Sequence, residues 1–139
     1  MTTVTDVMTR NVRTMAPSDT VAAAAKAMHE LNVGVIPVCE GDKLLGMVTD
    51  RDIVLRAVAK GLDGATLLSK VMSTDVRTAR ETDDLDTVLA DMASRQIRRL
   101  PVLDGSQRLI GIISIGDIAV KGQDEEDVGQ SLADISSPA

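Results

Sequence analysis

The chain has 139 residues, a formal net charge of −6 and no Phe, Tyr or Trp, so any core must be built from aliphatic side chains and Met. A chain of this length forms one compact domain or two small ones, and an acidic chain without aromatic residues lacks the basic face and stacking groups of typical nucleic-acid or anionic-membrane binders. Its single cysteine excludes an internal disulfide, and no apolar run resembles a signal peptide or membrane span, so we expect a cytoplasmic protein.

Residues 4–53 and 68–118 repeat one pattern at an offset of 64 residues, as in the pairs Val7/Val71 and Pro37/Pro101. One extra residue before Leu109 raises the offset to 65. Self-similarity with a single insertion placed in a turn indicates a duplicated structural unit. We therefore divide the chain into a first repeat at 4–60, a second at 68–122 and an acidic, flexible tail at 123–139.

Each repeat is predicted to run strand, helix, strand, strand, helix, which is an α+β arrangement. In the first repeat, Ser18 or Asp19 caps a helix, strands follow at Val33–Val38 and Leu44–Val48, and a second helix runs from Asp50 to about Ala59. The predicted apolar face of the first helix is Val21, Ala24, Ala25, Met28 and Leu31, and that of the second is Ile53, Val54, Ala57 and Val58.

In the second repeat, Thr82 or Asp83 is the predicted cap, the strands are Ile97–Leu103 and Leu109–Ile113, and a shorter helix begins at Ile115. Its first helix has the apolar face Leu85, Val88, Leu89 and Met92. Because proline cannot donate to a sheet ladder, Pro37 and Pro101 are expected at a sheet edge or a strand end.

Both repeats end in the motif Gly-x-x-Thr/Ser-x-x-Asp, at Gly46–Asp52 and at Gly111–Asp117. The spacing places a hydroxyl and a carboxylate on one face of a helical turn. The hydroxyl can donate to a phosphate or ribose oxygen, the carboxylate can accept from ribose hydroxyls, and the glycine allows close approach of backbone or ligand. A purely structural alternative remains open, in which the hydroxyl is an ordinary N-cap and the acid favours the start of a helix.

These two motifs, each preceded by a Pro-Val strand and by the segments Val7-Met8-Thr9 and Val71-Met72-Ser73, resemble the CBS-domain family over residues 4–121. The chain is similar to the short, stand-alone CBS pairs (Bateman modules) of bacteria. The resemblance implies tandem repeats packed with pseudo-twofold symmetry, and two clefts between the repeats for AMP, ADP, ATP or S-adenosylmethionine as a regulatory ligand.

The resemblance also implies the ligand contacts. Thr49 and Asp52 would hold phosphate and ribose in the first cleft, and Ser114 and Asp117 would do so in the second. The residues implied around the base are Asn11, Val12, Val33, Gly34 and Met47 in the first cleft, and Asp75, Val76, Ile97, Arg98 and Ile112 in the second.

The two clefts differ in charge. Arg98 and Arg99 replace Gly34 and Val35, whereas Arg51 in the first repeat is offset by its neighbour Asp50. We therefore expect phosphorylated nucleotides to prefer the second cleft. Strand alternation sends Arg98 and Arg99 to opposite faces, which leaves open which of them faces the ligand.

The sequence thus predicts a sensor that signals through conformation or assembly, as a homodimer or through an unidentified protein target in trans. It is not predicted to be an enzyme, to require a cofactor or to bind a metal, since His29 and Cys39 form no visible catalytic or metal-ligating set. The alternative is a ligand-free dimeric scaffold with the same fold.

Overall fold

The computed structural model describes residues 2–116 and combines helices and strands, as the α+β prediction requires. The predicted helix beyond Ile115 and the tail at 123–139 lie outside these residues. The elements in chain order are a 3-10 turn at Val4–Asp6, α1 at Val21–Leu31, β1 at Val35–Glu40, β2 at Lys43–Thr49, α2 at Asp50–Ile53 continuing as a π-helix at Val54–Val58, a 3-10 turn at Leu68–Lys70, β3 at Ala79–Arg80, α3 at Leu85–Arg95, β4 at Arg99–Leu103 and β5 at Leu109–Ser114.

The chain folds into two compact units that do not follow the order of the repeats. One unit is Arg13–Val76, and the other joins the N-terminal segment Met1–Val12 to the residues from Arg77 onward. We call them the Thr49 unit and the Ser114 unit, after the motif hydroxyl in each. The Thr49 unit therefore contains residues 68–76, the opening segment of the second repeat. The Ser114 unit contains residues 4–12, the opening segment of the first repeat. We call these two the exchanged segments.

Backbone hydrogen bonds fix these exchanged segments at a sheet edge. Ser73 and Met47 exchange two bonds, at 2.8 and 2.9 Å, which adds the segment before β3 to the outer edge of β2. Thr9 and Ile112 exchange two more, at 2.8 and 3.0 Å, at the matching edge of β5. Both hairpins are thus covered on the edge that would otherwise carry unpaired backbone groups.

Strand pairing is the same in the two units. β1 and β2 are antiparallel with Val35 opposite Thr49, and β4 and β5 are antiparallel with Arg99 opposite Ser114. β3 runs parallel to β4, and a single parallel bridge from Met15 to Val38 takes its place beside β1.

Both prolines lie inside strands rather than at strand ends. The expected position at a sheet edge holds for Pro37, because β1 belongs to a two-stranded sheet, and is wrong for Pro101. Pro101 is in the central strand of the β3-β4-β5 sheet, and Pro37 is opposite Met47 in β1. The Pro37 carbonyl accepts from the Met15 amide. The nitrogen and the carbonyl of one residue point to the same side of a strand, so the ring nitrogen of Pro37 also faces Met15, next to the parallel bridge at Val38. Pro101 likewise precedes Val102, where pairing with β3 begins, so neither proline removes a ladder hydrogen bond.

The two long helices begin later than predicted. Thr20 and Asp84 are the N-caps, and each accepts from the amide three residues ahead, at 3.1 and 3.4 Å. Asp19 and Asp83 instead accept from amides three residues behind, both at 2.8 Å, and so close the preceding turns. The predicted caps that are corrected here are Ser18, Asp19, Thr82 and Asp83.

Each unit has its own aliphatic core. The predicted inner face of α3 is confirmed, with all four residues buried: Leu85, Val88, Leu89 and Met92. In α1 the buried residues are Val21, Ala24, Ala27 and Met28, so Ala25 and Leu31, which are exposed, were assigned to the wrong face. In the helix after β2, Ile53 and Ala57 are buried, whereas Val54 and Val58 are 54% and 65% exposed.

Candidate ligand-binding site

The hydroxyl and the carboxylate of the first motif meet at the start of α2. Thr49 Oγ1 accepts from the Asp52 amide at 2.9 Å, and Asp52 Oδ2 accepts from the Thr49 amide at 3.0 Å. This reciprocal pair is a capping box, which fixes both side chains on one face of the turn. Each group keeps capacity for a ligand, because the Thr49 hydroxyl can still donate and a carboxylate offers about four lone-pair positions.

Arg56 is a neighbour of this pair that the motif did not indicate. Its Nε lies 3.8 Å from Asp52 Oδ1, and its Nη1 donates to the carbonyl oxygens of Val71 and Met72 at 3.5 and 3.3 Å. The Asp52 side chain is 14% exposed, so the carboxylate is partly shielded but still open to solvent. The i,i+4 spacing of an acid and an arginine is the sequence signal that could have indicated this contact.

The motif glycines are required by backbone packing. A Cβ at Gly46 would lie 2.3 Å from the Ser73 carbonyl oxygen, and one at Gly111 would lie 2.7 Å from the Thr9 carbonyl oxygen. Of the two roles predicted for these glycines, the structure therefore supports close approach of backbone. The approaching backbone is in both cases the exchanged segment that covers the hairpin.

The exchange changes which predicted residues share a unit. Asn11 and Val12 belong to the Ser114 unit, and Asp75 and Val76 belong to the Thr49 unit. Repeat order alone suggested that each opening segment serves its own repeat, but the segment pairs with the sheet edge of the other. Asn11 has a φ of 57°, so the chain turns sharply where it leaves the edge of β5.

In the Ser114 unit the cross-strand register shows which arginine, Arg98 or Arg99, lies on the same sheet face as Ser114. Arg99 lies directly opposite Ser114, and residues paired this way project from the same face of a sheet with Cβ atoms roughly 5 Å apart. Arg98 precedes β4, and its carbonyl accepts from the Ile115 amide at 3.0 Å. Arg99 is therefore the arginine on the face of the motif hydroxyl. Asp117 lies outside the described residues.

The same backbone contact in the Thr49 unit joins different side chains. The Gly34 carbonyl accepts from the Asp50 amide at 2.9 Å, and a Cβ at Gly34 would lie 3.0 Å from Asp50 Oδ2. Asp50 thus occupies the space beside position 34, while the matching pair in the other unit is Arg98 with Ile115. The same backbone arrangement thus carries the Asp50 carboxylate in the Thr49 unit, and Arg98 and Arg99 in the Ser114 unit.

The other predicted contacts differ in exposure. Met47 and Ile112 are buried beneath the exchanged segments, and Val33 and Arg51 are exposed. Val12, Val76 and Ile97 are half-buried, and Asp75 is exposed.

Neither His29 nor Cys39 joins a reactive set. His29 is exposed on α1, and Cys39 is buried in β1, where desolvation and, to a lesser degree, the Asp42 carboxylate raise the pKa of its thiol. A raised pKa leaves little thiolate at neutral pH. Within residues 2–116, no three His, Cys, Asp or Glu side chains are placed to hold a metal ion. No helix in that range has the length and apolar character that crossing a bilayer requires.

Comparison with known proteins places both repeats in one family. The sequence model of the CBS domain matches residues 4–58 and 68–122. The CBS domain-containing protein YhcV of Bacillus subtilis is 45% identical over 98% of this chain and 96% of its own length. Hypoxic response protein 1 of Mycobacterium tuberculosis is 36% identical over 99% of this chain and 96% of its own.

Solved structures agree with the sequence relatives. A crystal structure of Hypoxic Response Protein I with two coordinated zinc ions superimposes with a TM-score of 0.77 at 35% identity, covering 86% of this chain and 98% of that one. The CBS domain pair of protein MJ0100, in complex with 5′-methylthioadenosine and S-adenosyl-L-methionine, gives 0.72 at 26% identity, covering 96% and 97%. This chain, with its two repeats and two matched strand-to-helix motifs, belongs to the CBS-domain family.

Proposed function

We propose that this protein is a regulatory module that binds an adenosyl ligand, such as AMP, ADP, ATP or S-adenosylmethionine, and signals through its conformation or assembly. The MJ0100 CBS pair, similar over nearly the whole chain, was crystallised with two adenosyl compounds. A ligand that binds one arrangement of the module more tightly shifts the population toward it, and a partner can read that shift.

The observation that carries the proposal is the Thr49–Asp52 pair. A ribose needs an acceptor for its two hydroxyls, and the Asp52 carboxylate is partly exposed and held in place by the capping box. Because the turn is already fixed, a ligand would not have to pay the entropy of ordering it. The Thr49 hydroxyl beside it supplies a donor for a ribose or phosphate oxygen.

A ligand-free scaffold is the second candidate. The capping box gives Thr49 and Asp52 a complete structural role without any ligand, since each side chain already has a backbone partner. In that case the fold would act only as a surface for assembly.

A thermal-shift screen with AMP, ATP, NADH and S-adenosylmethionine separates the two candidates. A ligand present at 100 times its Kd stabilises the folded state by about 2.7 kcal/mol, which should raise the Tm by roughly 8 °C for a chain of this size. We expect at least one adenosyl compound to do so. If none shifts the Tm at millimolar concentration, and none co-purifies with the native protein, the scaffold explanation is favoured.

We also propose that the protein is a homodimer. The exposed large apolar side chains among the described residues all belong to the Thr49 unit: Leu31, Val33, Val54, Leu55, Val58, Leu62 and Leu67. Three of them, Val54, Leu55 and Val58, lie within the π-helical segment, and several exposed apolar side chains close together in the chain are typical of an interaction site. Light scattering at micromolar concentration should give twice the monomer mass, and Val58→Asp should reduce it. A monomeric wild-type mass would contradict the proposal.

A further inference from the structure

The two units hold the same backbone around side chains of opposite charge. In each, the carbonyl before the first hairpin strand accepts from the amide that follows the motif hydroxyl, at 2.9 Å in the Thr49 unit and 3.0 Å in the Ser114 unit. The strand residue opposite the hydroxyl is Val35 in one and Arg99 in the other. At this position the two units thus differ in their side chains and not in their backbone hydrogen bond or strand register.

The Thr49 unit presents an anion at this position. The Asp50 carboxylate lies against Gly34, with Oδ1 accepting from the Arg51 amide at 2.8 Å. Gly34 leaves the room for it, because a side chain there would begin 3.0 Å from Oδ2. Asp50 is exposed and adjoins Thr49, so a ligand held by Thr49 and Asp52 would lie beside two carboxylates. Arg56 lies 3.8 Å from Asp52 and Arg51 follows Asp50, so these charges roughly balance. A neutral adenosyl group therefore fits here, and the net positive charge that a phosphate favours is missing.

The Ser114 unit presents cations in the corresponding places. Ile115 replaces Asp50 and is buried, which removes the anion. Arg99 stands opposite Ser114 on the same face, and Arg98 adjoins it. Both arginines are exposed, and a planar guanidinium is well suited to a phosphate. A ligand beside Ser114 thus meets arginines at the positions where a ligand beside Thr49 meets Val35 and Asp50.

We propose that Asp50 and Arg99 determine ligand class, so that the Thr49 unit takes an uncharged or cationic adenosyl compound and the Ser114 unit takes a phosphorylated one. This inference rests on the proposed function, because it assumes that both motifs bind adenosyl ligands. It assigns each unit a ligand class by the charge that flanks the motif hydroxyl.

The test is calorimetry on the full chain with AMP as the phosphorylated probe and 5′-methylthioadenosine as the uncharged one. In the wild type we expect about one AMP per chain. Arg99→Val, which introduces the residue found at the matching position of the other unit, should weaken AMP binding about tenfold and leave 5′-methylthioadenosine unchanged. Asp50→Asn keeps the shape and the acceptor for the Arg51 amide, and should raise AMP binding toward two per chain.

Asp42→Asn is the matched control, because it removes the same charge from the same unit in the exposed turn between β1 and β2. It should leave both probes unaffected. If both probes bind but Asp50→Asn does not change the AMP isotherm, or if Arg99→Val weakens both probes equally, the assignment of ligand class is overturned and the proposed function stands. If neither probe nor S-adenosylmethionine binds the wild type, both fail.

Discussion

Gly46→Ala should destabilise the protein more than an alanine at any other glycine within residues 2–116. The new Cβ would lie 2.3 Å from the Ser73 carbonyl oxygen, which is backbone held by two hydrogen bonds to Met47. Relief requires the covering segment to move away from β2, and that segment carries the fully buried Leu68 and Val71. We expect the free energy of unfolding to fall by about 3 kcal/mol and the Tm by roughly 10 °C.

Denaturant and thermal unfolding of three alanine variants measure this effect. Gly111→Ala should cost about 2 kcal/mol, because its nearest backbone atom, the Thr9 carbonyl oxygen, is slightly farther away at 2.7 Å. Gly105→Ala is the control, since a Cβ there meets nothing within 4 Å, and it should change stability by less than about 0.5 kcal/mol. A Gly46→Ala protein that melts with the wild type would show that the exchanged segment does not pack as described.

Asp52→Asn should separate ligand binding from capping. The amide oxygen of Asn can still accept from the Thr49 amide, so the turn at the start of α2 is retained. The amide nitrogen replaces Oδ1 and can no longer accept from a ribose hydroxyl. A hydrogen bond to a charged group contributes about 2 kcal/mol, so affinity for the adenosyl ligand found in the screen should fall roughly thirtyfold with little change in Tm.

Asp19→Asn provides the matched control for this measurement. Asp19 also accepts from a backbone amide three residues away, at 2.8 Å, but it lies in the turn before α1 rather than in the motif. Its affinity by calorimetry should equal that of the wild type. If Asp52→Asn binds ligand as tightly as Asp19→Asn does, the carboxylate is only a cap.

The features that follow from local chemistry could be predicted from the sequence. The repeat, the α+β class and the inner face of α3 all depend on periodicities that the packed structure preserves. The caps were missed because Ser18, Asp19 and Thr20 are three consecutive residues able to cap a helix. Only the backbone geometry shows that Asp19 closes the preceding turn and Thr20 begins the helix.

The features that depend on long-range pairing could not be predicted. Alternation places Arg98 and Arg99 on opposite faces, but the register of β4 against β5 decides that Arg99 stands beside Ser114. Similarly, nothing in the order of the repeats indicates that Ser73 pairs with Met47 and Thr9 with Ile112. The unit to which Asn11 and Asp75 belong depends on those pairings.

The exchange of opening segments has a consequence for how the chain matures on the ribosome. Arg13–Val76 is continuous, so the Thr49 unit has all its parts as soon as Val76 has been synthesised. The Ser114 unit needs both the segment Met1–Val12 and the residues from Arg77 onward, because Thr9 can pair with Ile112 only after Ile112 has been synthesised. Until then Val4 and Val7, which end fully buried, remain accessible to chaperones or to a neighbouring nascent chain.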